Sequence, residues 1–383
     1  MNIGIEATSA AETHKAGVGF YTYHLLRAIA RLRREEHTYT CYLRRPWPDD
    51  AFSNAGALPA QMVGKVLRFP SLWAQIRLPI ELRWHPQEVY FFPAPVLPLL
   101  YQPAQSVVTI HDVAFLFFPE CFAPRLRRWL HIATKQGVAR ARKIIAVSAA
   151  TKRDLVAYYA VPAENIVVVH HGVSELYQPL AATPAGQAAI AAVKAKYHLT
   201  NPYLLCLGTL QKRKNLPRLL QAFDALKQQA QIPHQLVLAG PQYADLPAQD
   251  IFATAERLLL QKEVICTGYV PEEDKIALLS GAEVFVFPSL YEGFGMSLLE
   301  AMACGVPIAC ANTSAFPEVV GASAAMFDPS DLADMAATLA RVLRDANLRH
   351  RLRQQGLQRV KAFSWERCAQ QTLAVLESVG KQK

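Results

Sequence analysis

Short runs of consecutive apolar residues alternate along this chain with longer stretches whose apolar positions recur every three or four residues. The runs predict strands. In the first half they fall at Asn2–Ala7, Tyr39–Leu43, Val89–Phe92, Val107–His111, Lys143–Val147 and Ile166–His170. In the second half they fall at Tyr203–Gly208, Gln235–Gly240, Val264–Gly268, Val284–Pro288 and Pro307–Ala311. Continuous apolar strands separated by helical segments build parallel sheets covered on both faces. Each half carries enough such units for its own doubly wound domain. The boundary is expected near His170-His171-Gly172-Val173 to Pro179, with an Ala-rich helix over Ala181–Lys196 leading into the second domain. This divides the chain into a first domain over 1–175, a second over 176–364, and a closing helix from Trp365 to about Ser378 within 365–383. No internal repeat or low-complexity tract is visible.

One segment carries more chemistry than the rest. Val284-Phe285-Val286-Phe287-Pro288-Ser289 reads as a buried strand ending in a turn, followed by YEGFGMSLLEAMACG. Gly293 and Gly295 allow the backbone to approach a ligand closely. From Ser297 onward come strong helix formers, and Gly305 with Pro307 closes the helix. A strand, a glycine loop and a helix N-terminus together receive phosphate, because free N–H groups and the positive end of the helix dipole converge there. Glu292 and Glu300, which flank the loop, repel phosphate but suit sugar hydroxyls, donors that seek strong acceptors. A ligand with both parts is a nucleotide sugar. The plainer alternative is a common α/β glycine loop in which Glu300 only favours the first helical turn.

At 383 residues and 52% hydrophobic composition the chain suits two domains with real cores. No window reaches the roughly 18 unbroken apolar residues of a spanning helix. The best stretch is interrupted by Pro93, Pro95 and Pro98. Met1-Asn2-Ile3-Gly4-Ile5-Glu6 reads as a strand, not a secretory signal. The seven cysteines, Cys41, Cys121, Cys206, Cys266, Cys304, Cys310 and Cys368, show no metal-ligand spacing. They read as reduced core residues of a cytoplasmic protein.

The net charge of +9 is uneven. Residues 1–175 hold 20 Lys and Arg against 13 Asp and Glu, while the remainder holds 20 against 18. From Cys121 to Arg153 there are nine basic residues and no acidic one, including Arg125, Arg127, Arg128, Lys135, Arg140, Arg142 and Lys143, with Trp129 among them. The stretch reads either as a solvated helix face or as a contact with an anionic surface, a phospholipid membrane or a lipid pyrophosphate. No nucleic-acid-binding module is visible, and no nucleic-acid partner is expected.

The Glu292 segment resembles the signature of the retaining glycosyltransferases of family 4, the group 1 glycosyltransferases: a Glu, seven residues and a second Glu, with GFG after the first. Further matches follow in order along the chain. They are Gly17-Val18-Gly19-Phe20-Tyr21, His111-Asp112-Val113, Gly208-Thr209 with Arg213-Lys214-Asn215, Gly268-Tyr269-Val270-Pro271, and Phe363-Ser364-Trp365-Glu366. The resemblance implies an α/β chain with the GT-B fold, two Rossmann-like doubly wound domains facing across a cleft, with the closing helix crossing back to the first.

The same resemblance implies roles. Glu300 accepts from the ribose hydroxyls and Glu292 from hydroxyls of the transferred sugar, while the N–H groups of Phe294, Gly295 and Met296 cradle phosphate and sugar. Tyr269 and Val270 line the base pocket, with a core role open for Val270. Lys214 and Arg213, following the strand that ends at Gly208, are placed to neutralise a diphosphate leaving group; the alternative is a solvated Lys212-Arg213-Lys214 loop. Thr209 stands where many members carry Arg, and Gln211 and Lys212 replace a common Glu-Pro pair, so the diphosphate is expected to rely on Arg213 and Lys214. His111 and Asp112, at a strand end, are candidates to orient the donor sugar and stabilise charge at its anomeric carbon; the alternative is a structural His–Asp pair. Gly17 and Gly19 are expected to form a tight loop before a helix over Tyr21–Leu32. GxGxY is not the dinucleotide GxGxxG, so no nicotinamide is expected, nor any other cofactor, and no metal-ligand cluster is evident.

These implications converge on a retaining, metal-independent glycosyltransferase that uses a nucleotide diphosphate sugar and a saccharide acceptor. The HDV and Arg-Lys-Asn variants resemble bacterial surface-polysaccharide mannosyltransferases, which favours GDP-mannose as donor and a lipid-linked acceptor at the inner face of the cytoplasmic membrane. The alternatives are a UDP-sugar donor, a nucleotide-sugar 2-epimerase of the same fold, or a binding protein without catalysis. The joint presence of Glu292, Glu300, Lys214 and His111 argues against the last.

Overall fold

The computed structural model describes residues 1–12, 15, 17–47, 61–69, 72–98, 101, 103–241 and 249–381. Its strands form two separate sheets, and every strand pair in both is parallel. The chain divides into two compact units.

The first unit comprises Met1–Leu116, Pro124–Gly172 and Ser364–Lys383. Its strands are β1 (Asn2–Glu6), β2 (Thr38–Leu43), β3 (Met62–Val66), β4 (Val89–Phe92), β5 (Ser106–Ile110), β6 (Lys143–Ala146) and β7 (Ile166–Val168). They lie in the order β3-β2-β1-β4-β5-β6-β7. Every residue of β4 and β5 is buried, which is why their sequences are continuous and not alternating. The helices Gly17–Leu32 and Trp365–Gly380 pack on each other and on this sheet, bringing Leu25, Leu26 and Ile29 together with Leu373, Leu376 and Val379 over Ile3 and Ile5. Each such aliphatic side chain contributes about 1.5–3 kcal/mol by leaving water. The approach is close at Gly172, where an added Cβ would lie 2.1 Å from the Trp365 nitrogen.

The second unit comprises Phe117–Ala123 and Val173–Phe363. Its strands are β8 (Tyr203–Leu207), β9 (Gln235–Ala239), β10 (Val264–Gly268), β11 (Val284–Phe287), β12 (Ile308–Ala311) and β13 (Ala324–Phe327), in the order β10-β9-β8-β11-β12-β13. In both sheets the winding reverses direction once, at β1/β4 and at β8/β11. The crevice beyond the carboxyl ends of two such strands is where open α/β sheets receive ligands.

Three expectations are corrected. Gly17 and Gly19 do not form a loop: they lie in the first turn of the helix Gly17–Leu32, where an added Cβ on Gly19 would come 2.8 Å from the Ser9 carbonyl oxygen. Cys266 is exposed while the other six cysteines are buried, because β10 is an edge strand flanked only by β9. Two strands, β3 and β13, were not anticipated. Val63 on β3 is exposed and Gly64 and Lys65 interrupt its apolar run, as suits an edge strand.

Candidate active site

Lys214 and Glu292 are 78 residues apart in sequence and meet because β8 and β11 are neighbours in the second sheet. The loop after β8 carries Arg213 and Lys214, and the loop after β11 carries Glu292. Lys214 Nζ stands 2.6 Å from Glu292 Oε1, and Arg213 Nη1 stands 2.5 Å from the same oxygen. Both cations therefore point inward. Arg213 is fixed from two further sides, donating through Nη1 to the Tyr291 carbonyl at 3.0 Å and through Nε to Gln211 Oε1 at 3.1 Å. Lys214 is buried, with its ammonium 4.5 Å from the centre of the Phe287 ring. Gly208 makes room for it: a Cβ there would lie 3.0 Å from Lys214 Nζ, and φ of +138° already favours glycine.

Electrostatics follow from this geometry. Burial acts to raise the Glu292 pKa, but the Lys214 and Arg213 charges and their hydrogen bonds outweigh it and push the group down to about 2. Burial lowers the Lys214 pKa, and Arg213 adds to that, against the pull of Glu292. Ser314, in the left-handed region at φ of 56°, closes the Glu292 loop by accepting from the Glu292 N–H at 3.2 Å and donating to the Glu292 carbonyl. Thr209 sits half-buried in the turn after β8, its carbonyl accepting from the Gln211 N–H at 2.8 Å. The short segment Phe117–Ala123 belongs to the same unit: Phe117 packs on the Tyr291 ring at 4.9 Å, and Glu120 pairs with Lys212 at 3.4 Å.

Gly295, at φ of 105°, precedes the helix Met296–Ala303, whose first turn has no side-chain cap. Phe294 is buried and meets Phe363 edge-on at 6.0 Å. Glu300, on the same helix, is not brought to Arg213 or Lys214. Its Oε1 accepts from Lys275 Nζ at 3.1 Å. Lys275 lies on the helix Glu272–Gly281, directly after the turn that holds Tyr269 and Val270. Tyr269 is 70% exposed, which leaves its ring free to meet a ligand, and Val270 is half-buried.

In the first unit, His111 follows β5 and its Nε2 is 2.8 Å from the Pro93 carbonyl at the end of β4. A carbonyl only accepts, so Nε2 carries the proton and Nδ1 offers a lone pair. Burial lowers the His111 pKa, outweighing the Pro93 bond and the Asp112 charge, and keeps the ring neutral. Tyr21 packs edge-on to it at 4.8 Å and His171 at 5.4 Å, and His171 in turn stacks on Trp365 at 5.8 Å. Asp112 Oδ1 accepts from the Ala114 N–H at 2.9 Å and so starts the turn Ala114–Phe117.

Comparison with known proteins bears on this arrangement. The family model described as glycosyl transferases group 1 matches residues 191–359, and the model described as glycosyltransferase family 4 matches 16–175. The O-antigen chain mannosyltransferase B of Escherichia coli is 30% identical over 379 residues, covering 96% of this chain and 98% of that one. The chain belongs to this glycosyltransferase family. Among solved structures, WaaG, a glycosyltransferase involved in lipopolysaccharide biosynthesis, superposes with a TM-score of 0.72 at 15% identity, covering 98% of this chain and 99% of that one. HepE of Anabaena in complex with UDP-glucose gives 0.72 at 18% identity over 99% of this chain and 100% of that one. The fold of this glycosyltransferase is accordingly GT-B.

Lys275 and Ser314 are the residues of this glycosyltransferase that sequence reasoning missed. Neither lies in a recognisable motif, and each reaches its partner through the fold. Only the position of Lys275 one helical turn beyond Tyr269-Val270-Pro271 hints at its neighbourhood.

Proposed function

We propose that this glycosyltransferase moves a mannosyl group from GDP-mannose to a hydroxyl of a lipid-linked saccharide, with retention at the anomeric carbon. The observation that carries the reading is the convergence of Arg213 and Lys214 on Glu292 Oε1 at the reversal point of the second sheet. Two cations on one carboxylate form a diphosphate site held closed by its own anion. The donor diphosphate takes the place of Glu292 beside both cations, and the released carboxylate turns to the hydroxyls of the sugar. Among the described residues no group of three metal-ligating side chains is clustered, and the reading assigns charge neutralisation to Arg213 and Lys214.

In the reaction the bond from the anomeric carbon to the phosphate oxygen breaks as the acceptor oxygen bonds to that carbon from the same face. The acceptor proton passes to the departing phosphate oxygen, giving GDP and the glycoside. His111 is neutral, with a lone pair on Nδ1 to support positive charge at the anomeric carbon. The backbone around Phe294, Gly295 and Met296 receives phosphate, Glu300 the ribose, and Tyr269 and Val270 the base.

The relative in Escherichia coli, named for mannosyl transfer to the O-antigen chain, supports mannose as the sugar. The helix Pro124–Arg140 supports a membrane-borne acceptor. It exposes Leu126, Trp129 and Ile132 beside Arg125, Arg128 and Lys135, an apolar and basic face suited to an anionic lipid surface. No described helix is long and apolar enough to cross a membrane.

The test is product analysis with GDP-mannose, UDP-glucose and UDP-GlcNAc, each with a lipid-linked saccharide acceptor. The expected result is an α-mannoside and GDP from GDP-mannose alone, read by NMR of the anomeric proton. Transfer from a UDP-sugar instead would overturn the donor assignment. Free nucleotide with an epimerised sugar and no glycoside would overturn transfer itself.

A further inference from the structure

Lys275 has no role in the chemistry above, yet its ammonium is held from three sides. It sits between two carboxylates, 3.1 Å from Glu300 Oε1 and 3.5 Å from Glu272 Oε2, with the Tyr177 ring centre 5.0 Å from its nitrogen. Tyr177 is buried and donates its hydroxyl to Glu272 Oε1 at 2.7 Å. This fixes Glu272, which fixes Lys275, which occupies one oxygen of Glu300. Burial acts to lower the Lys275 pKa, but Glu300 and Glu272 together raise it, so the ammonium stays charged.

Two consequences follow for whatever meets Glu300. First, Lys275 already donates to Oε1, and among the described residues no protein group donates to Oε2, which leaves that oxygen the more open acceptor. Second, the second contact of Lys275, at 3.5 Å, is an ion pair longer than an ordinary hydrogen bond, so the ammonium keeps N–H capacity beside that free oxygen. The Lys275 and Glu300 side chains are 21% and 16% exposed, enough to reach a bound molecule. Two carboxylates on one ammonium also leave the group net negative, which repels phosphate and favours a neutral ligand.

We propose that Lys275 and Glu300 act as a single recognition unit, an acceptor beside a donor, that reads the vicinal diol of the donor nucleotide's ribose. One hydroxyl donates to Glu300 Oε2, and its neighbour accepts from Lys275 Nζ. Lys275 is thereby a specificity-determining residue for ribonucleotides. This rests on the placement of the donor ribose at Glu300 in the proposed function.

The experiment is calorimetric titration of the full chain with GDP, 2′-deoxy-GDP, UDP and 2′-deoxy-UDP. Wild type should bind the ribonucleotide it prefers at least about tenfold more tightly than the deoxy form, because a site built to bond a hydroxyl rejects the analogue without it. K275M should narrow that preference to about threefold or less, and K275R, which keeps an N–H donor and its charge, should retain it. A lysine that only braced the helix would shift both affinities together and leave their ratio alone. An unchanged ratio in K275M overturns the proposal, as does a ratio near one in wild type, which needs no variant to fold. Failure of wild type to bind any of the four nucleotides would sink the donor-site reading, and this proposal with it.

Discussion

Replacing Glu292 with Gln keeps the shape of the side chain and removes its charge, leaving Arg213 and Lys214 facing each other without an anion. The folded-state pKa of Glu292 is about 2 against an ordinary 4.5. At 1.36 kcal/mol per unit this coupling is worth roughly 3 kcal/mol. Because the folded value is depressed, that stabilisation is complete above pH 4.5 and disappears as the pH falls towards 2. Stranding one buried and one part-buried cation sets the cost of E292Q at neutral pH at about 3–5 kcal/mol, with Lys214 able to limit it by releasing its proton. Urea denaturation of both proteins from pH 7 to pH 3.5 should show a large gap that narrows steadily once the pH passes below 4.5. Ligand binding should move the other way. GDP no longer displaces a bound carboxylate in E292Q, so its affinity should rise about five- to twentyfold, a difference of ~1–2 kcal/mol. Turnover should fall, because the sugar hydroxyls then meet a neutral amide oxygen in place of a charged acceptor. Wild-type stability at pH 7 together with weaker GDP binding in E292Q would refute the picture of a diphosphate site closed by its own anion.

The first unit offers a contrasting test. His111→Ala should lower kcat by about a hundredfold or more while changing donor Kd little; equal losses in both would contradict a role at the anomeric carbon. Burial holds this imidazole below its ordinary 6.5, so wild-type kcat should stay level as the pH is lowered past 6.5 and decline only beneath it. For the basic helix, Arg125, Arg127 and Arg128 all changed to Glu should release the protein from phosphatidylglycerol vesicles. Each basic residue near such a surface contributes about 1 kcal/mol, and unchanged cosedimentation would end the membrane reading.

The sequence announces this fold wherever a strand is buried on both faces. β4 begins and ends where its apolar run does, and most other strands differ by a residue or two at an end. It is quiet where burial is partial or the residues are small. β3 pairs with β2 alone and carries Gly64 and Lys65, and β13 is Ala-Ala-Met-Phe, which reads equally well as helix. The glycines at 17 and 19 signal close approach, and the chain uses it inside a helical turn and not in a loop. Candidates that stand in runs of unusual composition were legible: Glu292, Glu300, Arg213 and Lys214 in the second unit and His111 in the first. Residues defined only by what the fold sets beside them were not. Nothing local to Lys275 points to Glu300 on another helix, and nothing local to Ser314 points to the Glu292 loop. Arg213 and Lys214 both reach Glu292 Oε1, a meeting that the β8–β11 pairing creates and that nothing in their own neighbourhood shows.

The helix Trp365–Gly380 belongs to the first unit, although Val173–Phe363, nearly all of the second unit, is encoded between Gly172 and this helix. A ribosome that has released Gly172 must add roughly 200 more residues before this helix is complete, on the order of 10–40 s at usual synthesis rates. Through that interval Leu25, Leu26 and Ile29 have no Leu373, Leu376 or Val379 to cover them. The first half of the nascent chain therefore waits with a sticky apolar seam, and the second half, whose segments need only one short earlier piece of chain, is free to finish first. Order of synthesis and order of completion are reversed in this molecule, and its dependence on chaperones during translation should fall on the part made earliest.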